Sequence, residues 1–83
     1  MTILRARAVD GNAMLTRLAS VLGPFSIGHF EYVVGSGDDV LVVIGVRGDP
    51  WQVQRVAAKV GRLIGVHDVV VEDVVEGAVD AAS

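Results

Sequence analysis

The chain has 83 residues, which is enough for one small domain, and 52% of them are hydrophobic. It contains no cysteine, which excludes disulfides and thiolate metal sites, and its two histidines lack the spacing of zinc ligands. The net charge is −3, so the clustered basic face of a nucleic-acid-binding domain is not expected.

The first predicted element is a strand over residues 3–9, where side chains alternate with the period of two that marks a half-buried strand. Its inward side chains are Leu4, Ala6 and Ala8. These residues are small enough for a helix to pack closely over them. The turn that follows contains Asp10 and Asn12, either of which can cap a helix.

The first helix is predicted over residues 13–22, where apolar side chains recur at helical spacing. Its buried positions are predicted to be Met14, Leu15, Leu18, Val21 and Leu22. Gly23 suits a left-handed cap and Pro24 cannot continue the helix, so the helix is predicted to end here.

A second strand is predicted over residues 25–34, but its pattern is irregular. Ile27 and Phe30 are three positions apart, so both face inward only if the strand bulges. Gly28 and His29 lie between them, and the bulge is therefore expected near these two residues.

The third strand is predicted over residues 40–46, after a hairpin loop rich in glycine and aspartate. Leu41 and Val43 lie on one side of it and other apolar residues on the opposite side, a pattern that is usual for a central strand. Together with Val70 in the last strand, Leu41 and Val43 need cover on the outward face.

The second helix has clear start and stop signals. Asp49 is a good N-cap, Pro50 suits the first helical position, and Gly65 is predicted to end a helix over residues 51–64. Its apolar stripe consists of Val53, Val56, Ala57, Val60, Leu63 and Ile64. Trp51, in the first turn, is predicted to cover the edge of the core.

The last strand is predicted over residues 66–73, and residues 74–83 are predicted to be an acidic, frayed tail. The order of elements is therefore β-α-β-β-α-β, in one domain over residues 1–73. Right-handed crossovers place both helices on one face of a four-stranded antiparallel sheet with strand order 4-1-3-2. The predicted fold class is α+β, with a ferredoxin-like architecture.

The residue types give little support for an enzyme. No Ser or Thr has an apparent histidine partner, so catalysis is not predicted. The third strand has no aromatic residue on which an RNA base could stack. No apolar run approaches the roughly 20 residues that span a bilayer, and arginines interrupt the start too early for a signal peptide. We therefore expect a cytoplasmic protein with no cofactor, no nucleic acid and no membrane association.

The loop between the first strand and the first helix is the candidate binding site. Asp10, Gly11, Asn12 and Ala13 stand where a helix exposes unpaired amides, which suit a carboxylate such as that of an amino acid. The alternative is that Asp10 or Asn12 only caps the helix, because capping accounts for these residue types. His29, on an edge strand, is a second residue that a ligand or partner can contact.

Three segments carry a family resemblance, namely Val46-Arg47-Gly48-Asp49, Phe25-Ser26-Ile27 and Arg62-Leu63-Ile64-Gly65-Val66-His67-Asp68-Val69. They resemble the ACT domain family, and within it the short, single-domain regulatory subunits of acetolactate (acetohydroxyacid) synthase. In those subunits a similar strand ends in Val-Arg-Gly-Asp, and Lys-Leu-Ile-Asp-Val-x-x-Val leads into the last strand. The resemblance spans residues 3–73.

The resemblance implies a non-catalytic domain that pairs with a second copy and binds an amino acid such as valine at the interface. The family's effector loop reads Asn-Arg-Pro-Gly-Val-Leu, where this chain has Asp-Gly-Asn-Ala-Met-Leu over residues 10–15. Ala13 stands at the glycine position, Asn12 at the proline position, and the charge of Asp10 would repel a ligand carboxylate. The implied ligand-binding residues are Asp10, Gly11, Asn12, Ala13, Met14, Ile27, Gly28 and His29.

Three functions follow from the resemblance. The first is a regulatory or stabilising subunit that binds and modulates a larger amino-acid-biosynthesis enzyme. That enzyme would be acetolactate synthase of the branched-chain pathway, and the binding partner its catalytic subunit. The second is a free-standing homodimeric ACT domain that senses a small amino acid. The third is an assembly module that has lost ligand binding. For each we expect a dimer that pairs the second strands or the first helices around residues 27–30.

Overall fold

A computed structural model describes residues 1–73 of the chain, so the tail predicted for residues 74–83 lies outside the described residues. The elements are β1 (Thr2–Ala8), α1 (Gly11–Leu22), β2 (Ile27–Val34), a 3-10 turn (Ser36–Asp38), β3 (Val40–Val46), α2 (Pro50–Gly61) and β4 (Val66–Asp73). The predicted β-α-β-β-α-β order is confirmed.

The four strands form one antiparallel sheet in the order β2-β3-β1-β4, which is the predicted order read from the other edge. β1 and β3 are the central strands, with Leu4 opposite Ile44 and Ala6 opposite Val42. These four residues are buried, and they lie on the face of the sheet that the helices cover. The ferredoxin-like architecture is therefore confirmed.

The core lies between this face of the sheet and the two helices. The fully buried large side chains are Leu4, Met14, Leu18, Val42, Ile44, Val46, Val56 and Val60. Ala6 and Ala8 are buried as well, and their small side chains leave room for the helices, as predicted. Each helix has 12 residues. No helix in the described part of the chain is long and apolar enough to cross a membrane.

The predicted bulge in β2 is confirmed. The pairing of β2 with β3 shifts between Ile27 and His29, so Ile27 lies opposite Val46 and Phe30 opposite Ile44. Both β2 residues are thereby brought to the helix-covered face, although they are three positions apart. A second register shift, between Arg7 and Ala8 where β1 pairs with β4, was not predicted.

α1 ends at Leu22 as predicted, but the conformation of the next residue, Gly23, differs from the prediction. Gly23 has right-handed helical angles (φ −52°, ψ −42°), and its N–H donates a hydrogen bond to the Ala19 carbonyl at 3.1 Å. The expected left-handed glycine cap is wrong, because the helical hydrogen-bond pattern continues through Gly23 until Pro24, which has no N–H. The expected burial of Leu15 is also wrong, since 44% of its surface is exposed.

The second helix ends at Gly61, three residues before the predicted end at Ile64. The N–H of Arg62 donates to the Ala58 and Lys59 carbonyls, and a turn follows in which Gly65 has φ 98°. This turn rotates Ile64 out of the apolar stripe and leaves it 83% exposed. Gly65 therefore shapes the turn into β4, where a positive φ favours glycine, and does not end the helix.

The prediction for Trp51 is wrong. This side chain is 61% exposed and lies on the surface of the first turn of α2. The guanidinium of Arg55, one turn later, lies 5.0 Å from the centre of the indole ring, within the range of a cation–π contact. The indole therefore pairs with a neighbouring cation on the surface and leaves the core edge uncovered.

Candidate functional site

The loop between β1 and α1 contains an aspartate, Asp10, whose backbone is in the left-handed helical conformation. Asp10 occupies the N-cap position of α1 with φ 70° and ψ 57°, and its side chain makes no cap hydrogen bond. The interpretation that Asp10 only caps the helix is therefore wrong. The side chain of Asn12 is exposed in the first turn. Within the described residues, the first-turn amides of α1 are thus left without a capping side chain.

The carboxylate of Asp10 is directed toward Arg17. The two side chains form an ion pair at 3.5 Å, and Arg17 also donates a hydrogen bond to the Ile64 carbonyl at 3.1 Å. The N–H of Val9 donates to the Gly65 carbonyl at 2.9 Å. Because both charged groups are partly exposed, the ion pair contributes at most about 1 kcal/mol. Together these contacts attach the loop to the turn before β4.

Gly11 brings the start of α1 against the far end of β2. Gly11 is buried, and a Cβ at this position would lie 3.4 Å from Cγ1 of Val34. The hydroxyl of Tyr32 donates a hydrogen bond to the Gly11 carbonyl. Sequence reasoning missed both Tyr32 and Arg17. The only available signal was that Tyr32 is the single tyrosine and follows Phe30 on the inward side of β2.

This packing raises the pKa of the Tyr32 phenol. Burial raises the pKa of Tyr32 above its ordinary value of 10.0, a backbone hydrogen bond with Leu15 lowers the pKa by less, and the negative charge of Asp10 raises it further. The neutral phenol is therefore the stable form at physiological pH. It acts as a hydrogen-bond donor to the first turn of α1 and not as a base.

The predicted ligand-binding residues of this loop differ in accessibility. Asp10 and Asn12 are exposed, Ala13 is half-buried, and Gly11 and Met14 are buried. Cε of Met14 would lie 3.0 Å from a Cβ at Gly65, so the Met14 side chain belongs to the core under the loop. Their role in ligand binding stays a prediction.

The other predicted site residues surround the bulge at the start of β2. A Cβ at Gly28 would lie 2.6 Å from Nε of Arg47 and 3.0 Å from the sulfur of Met1, so a larger residue there would displace these two flexible side chains. His29 is exposed, and its Nε2 lies 3.5 Å from Oε1 of Glu31. Ile27 is half-buried on the opposite face.

A single chain does not bring the two groups of predicted residues together. Gly11 lies beside Val34 at the end of β2, and Gly28 lies in the bulge at its beginning. Val34 is seven positions after Ile27, which corresponds to about 23 Å of strand at roughly 3.3 Å per residue. Within one chain the loop and the bulge are therefore separate surfaces.

An apolar groove of about 370 Å³ runs between α1 and β2. We call it the α1–β2 groove, and it is lined by Leu15, Ala19, Leu22, Gly23, Phe25, Ile27 and Phe30. Phe30 is 39% exposed, and its ring stacks near Tyr32 with centroids 6.3 Å apart. β2 pairs only with β3 among the described strands, so the groove lies beside a free strand edge.

The face of the sheet opposite the helices is open. Leu41 and Val70 are exposed on it and Val43 is half-buried, in agreement with the prediction that these residues lack cover. Charged side chains share this face, and Arg5 of β1 pairs with Glu72 of β4. The open face is therefore apolar on β3 and carries charged side chains on β1 and β4 and at the β2 edge, where His29 and Glu31 lie.

These observations define the class of the domain, a ferredoxin-like sheet with a free apolar edge and an uncapped helix start. No protein-family model matches the sequence, and no curated protein is a significant match to it. The ACT domain from the GTP pyrophosphokinase of Chlorobium tepidum is similar in its crystal structure, with a TM-score of 0.71 and 16% identity over 84% of this chain and 94% of that chain. Its solution NMR structure gives a TM-score of 0.70 and 14% identity over 90% and 88%.

A third similar structure is the C-terminal domain of the MgtC protein from Mycobacterium tuberculosis. It has a TM-score of 0.60 and 12% identity over 84% of this chain and 82% of that chain. At these identities the likeness is one of fold. The chain therefore has the fold of an ACT domain, as the sequence resemblance implied.

Proposed function

We propose that this chain is a non-catalytic regulatory module of the ACT type that works as a homodimer. The observation that carries the proposal is the free edge of β2 beside the apolar α1–β2 groove, on a fold shared with ACT domains. A small domain with such an edge gains stability by association, because its own core contributes only about 3–5 kcal/mol.

The edge of β2 has the properties of an association site. The strand has eight residues, contains no proline or lysine, and exposes Phe30, Val33 and Val34. Free edges of this length and apolarity pair with other strands unless a charge, proline or cover prevents it. A second copy has the same edge and the same groove. A single two-fold axis therefore brings edge against edge and groove against groove.

Antiparallel pairing of two β2 strands also joins the separated site residues. The beginning of one β2 then lies next to the end of the other, because the two strands run in opposite directions. Ile27 and the backbone of Gly28 of one copy thereby approach Gly11 and Asn12 of the second copy on the helix side of the sheet, whereas the His29 side chain lies on the open face. A small amino acid fits such a composite site, with its carboxylate on the uncapped first-turn amides of α1.

The finer proposal concerns the enzyme that the module regulates. The motif Val46-Arg47-Gly48-Asp49 and the segment over residues 62–69 support a catalytic subunit of acetolactate synthase, with valine as the effector. The open sheet face, with Leu41 and Val70 exposed, offers a surface for that subunit. Added to the purified catalytic subunit, the chain is expected to co-elute with it and change its rate. If the chain neither binds the catalytic subunit nor changes its rate, this partner is refuted.

The experiment for the module itself measures mass and ligand binding separately. Light scattering at micromolar concentration is expected to give the mass of a dimer, and a monomer would refute the homodimer. Calorimetric titration with a panel of amino acids is expected to show heat for a small apolar one. A dimer that gives no heat and no thermal shift with any amino acid supports an assembly module without a ligand.

That assembly module is the second candidate, and the charge of Asp10 favours it. The carboxylate lies at the start of α1, where it opposes the approach of a ligand carboxylate. Its ion pair with Arg17 weakens this repulsion but leaves the side chain partly exposed. The calorimetric panel separates the two candidates.

A further inference from the structure

The direction of the backbone groups along β2 limits how a second copy can pair. The N–H of Gly35 donates to the carbonyl of Asp39 at 2.7 Å, so these opposite residues form a hydrogen-bonded pair at the end of the β2–β3 hairpin. Hydrogen-bonded and non-hydrogen-bonded pairs alternate along an antiparallel ladder. The N–H and C=O groups of Glu31 and Val33 therefore point toward β3. The N–H and C=O groups of Phe30, Tyr32 and Val34 therefore point to the free edge.

Only registers that match these groups and faces are available to a two-fold pair. Directly opposite residues in a sheet lie on the same face, so helix-side residues must meet helix-side residues. An axis at Tyr32 still pairs residues 30–34 of the two strands, whereas an axis at Val33 would pair only residues 32–34. The two-fold axis can therefore pass at Phe30, at Glu31 or at Tyr32. Resting on the homodimer proposed above, we propose that the β2 strands of two copies pair antiparallel with Phe30 opposite Phe30, and that contacts between His29 and Glu31 of different copies select this register.

The charges on the open face distinguish these registers. His29 and Glu31 lie on the same face of β2, both are about half-exposed, and their side chains are 3.5 Å apart within one chain. With the axis at Phe30, each His29 lies opposite Glu31 of the second copy, so histidine and glutamate alternate in a cluster of four. With the axis at Glu31, the two glutamates oppose each other, which is unfavourable. With the axis at Tyr32, Glu31 meets Val33 and gains no charged partner.

Other charges near the bulge are compatible with this pairing. Arg47 lies against Gly28, so its guanidinium adds positive charge beside His29. Arg5 is occupied by Glu72 on the far side of the sheet. The glutamates of the second copy therefore approach a positive end of β2.

The helix side of the pair favours the same register. Phe30 lines the α1–β2 groove and is partly exposed in the single chain. With the axis at Phe30, the two rings face each other and each groove opens onto the other. This contact places the largest exposed side chains of β2 at the centre of the interface, where aromatic anchors contribute most.

Cysteine pairs test the register directly, because the chain has no cysteine of its own. In the proposed register residues 29 and 31 of different copies form a pair without backbone hydrogen bonds, whose Cα atoms are about 4.5 Å apart, within reach of a disulfide. A mixture of His29→Cys and Glu31→Cys chains is expected to form a heterodimeric disulfide. Glu31→Cys alone is expected to stay uncrosslinked. The mass of each unoxidised variant is measured in parallel.

The outcomes separate the register from the dimer. Crosslinking of Glu31→Cys with itself would place the axis at Glu31 and overturn the proposal. Variants that are dimeric but give no crosslink would overturn the Phe30 register and leave an axis at Tyr32 or an interface outside β2. Monomeric wild-type protein would refute the homodimer itself.

A second test uses charge removal in place of cysteines. Glu31→Gln is expected to weaken dimerisation roughly two- to tenfold. Glu72→Gln, on the same face but paired with Arg5, is expected to leave dimerisation unchanged. Equal effects of these two substitutions would also overturn the proposed role of Glu31.

Discussion

The two edge strands of the sheet differ in how they are covered. β4 packs closely against α2 and carries Asp68 and Glu72 on its open face. β2 packs less extensively against α1 and leaves an apolar groove with Phe30 exposed at its rim. Charges and helix cover are the usual means by which proteins protect an edge from pairing. β2 also carries Glu31, His29 and a bulge, so the two edges differ chiefly in helix cover. This difference supports the proposal that β2 is the edge for association.

The same contrast divides the faces of α1. Leu18 is fully buried between the helix and the sheet, whereas Leu15, on the same helix, is exposed and lines the groove beside β2. One leucine therefore contributes to the fold of the single chain, and the other is available for a contact between chains. The predictions below test this separation, from the largest expected effect to the smallest.

Leu18→Ala is expected to lower the free energy of unfolding by about 2–5 kcal/mol, because it leaves a cavity in the core. This approaches the whole stability of a domain of this size. Denaturant unfolding, followed by circular dichroism at a concentration where the wild type is monomeric, measures the loss. Leu15→Ala is the matched control and is expected to cost less than about 1 kcal/mol there. Equal losses would show that the groove side of α1 belongs to the core.

Phe30→Ala is expected to weaken dimerisation at least about tenfold, because it removes an aromatic anchor at the groove. Val71→Ala is the control on the other edge, since Val71 lies on the helix side of β4 and is exposed to a similar degree. Sedimentation across a concentration series gives both dissociation constants. If Val71→Ala weakens the dimer as much as Phe30→Ala, β2 is not the specific edge for association. A loss with Val71→Ala alone would reverse the assignment of the two edges.

The combined change Asp10→Asn and Ala13→Gly is expected to increase affinity for a small apolar amino acid several-fold. It removes the charge that opposes a ligand carboxylate at the start of α1 and lets the backbone approach the ligand. Calorimetry against the wild type measures the change. Asp39→Asn, which removes a charge from the hairpin loop after β2, is the control and is expected to have no effect. No gain in binding would favour an assembly module that does not use this loop.

The sequence predicted the scaffold more accurately than the candidate site. Residues 40–46 and 66–73 were predicted with the bounds that the structure has, because the first segment is continuously apolar between glycine-containing turns and the second is rich in valine and follows Gly65. The bulge in β2 followed from the spacing of Ile27 and Phe30. These are local signals, and they are sufficient for the order of the elements.

The contacts around the loop were not predictable in the same way. The hydrogen bond from Tyr32 to Gly11 and the ion pair of Asp10 with Arg17 join residues whose distance is set by packing. Leu15 fits the helical pattern of a buried residue, but α1 sits on the sheet so that this position faces the groove. Periodicity shows that a helix has an apolar side, and only the packing shows which part of that side stays exposed in the single chain.

The smallest expected effect concerns Tyr32, which links β2 to the start of α1. Its pKa is raised in the folded chain by burial, so between about pH 10 and the folded pKa the unfolded chain has lost a proton that the folded chain keeps. The stabilisation is therefore fully present below about pH 10 and is lost as the pH rises through the folded pKa.

Near-ultraviolet absorbance follows this titration without overlap from other tyrosines, because Tyr32 is the only one. Tyr32→Phe is expected to cost about 0.5–1.5 kcal/mol at neutral pH and to remove this part of the pH dependence. A titration at or below pH 10 in the folded protein would show that the Tyr32 hydroxyl is open to solvent and that β2 is not held to the loop.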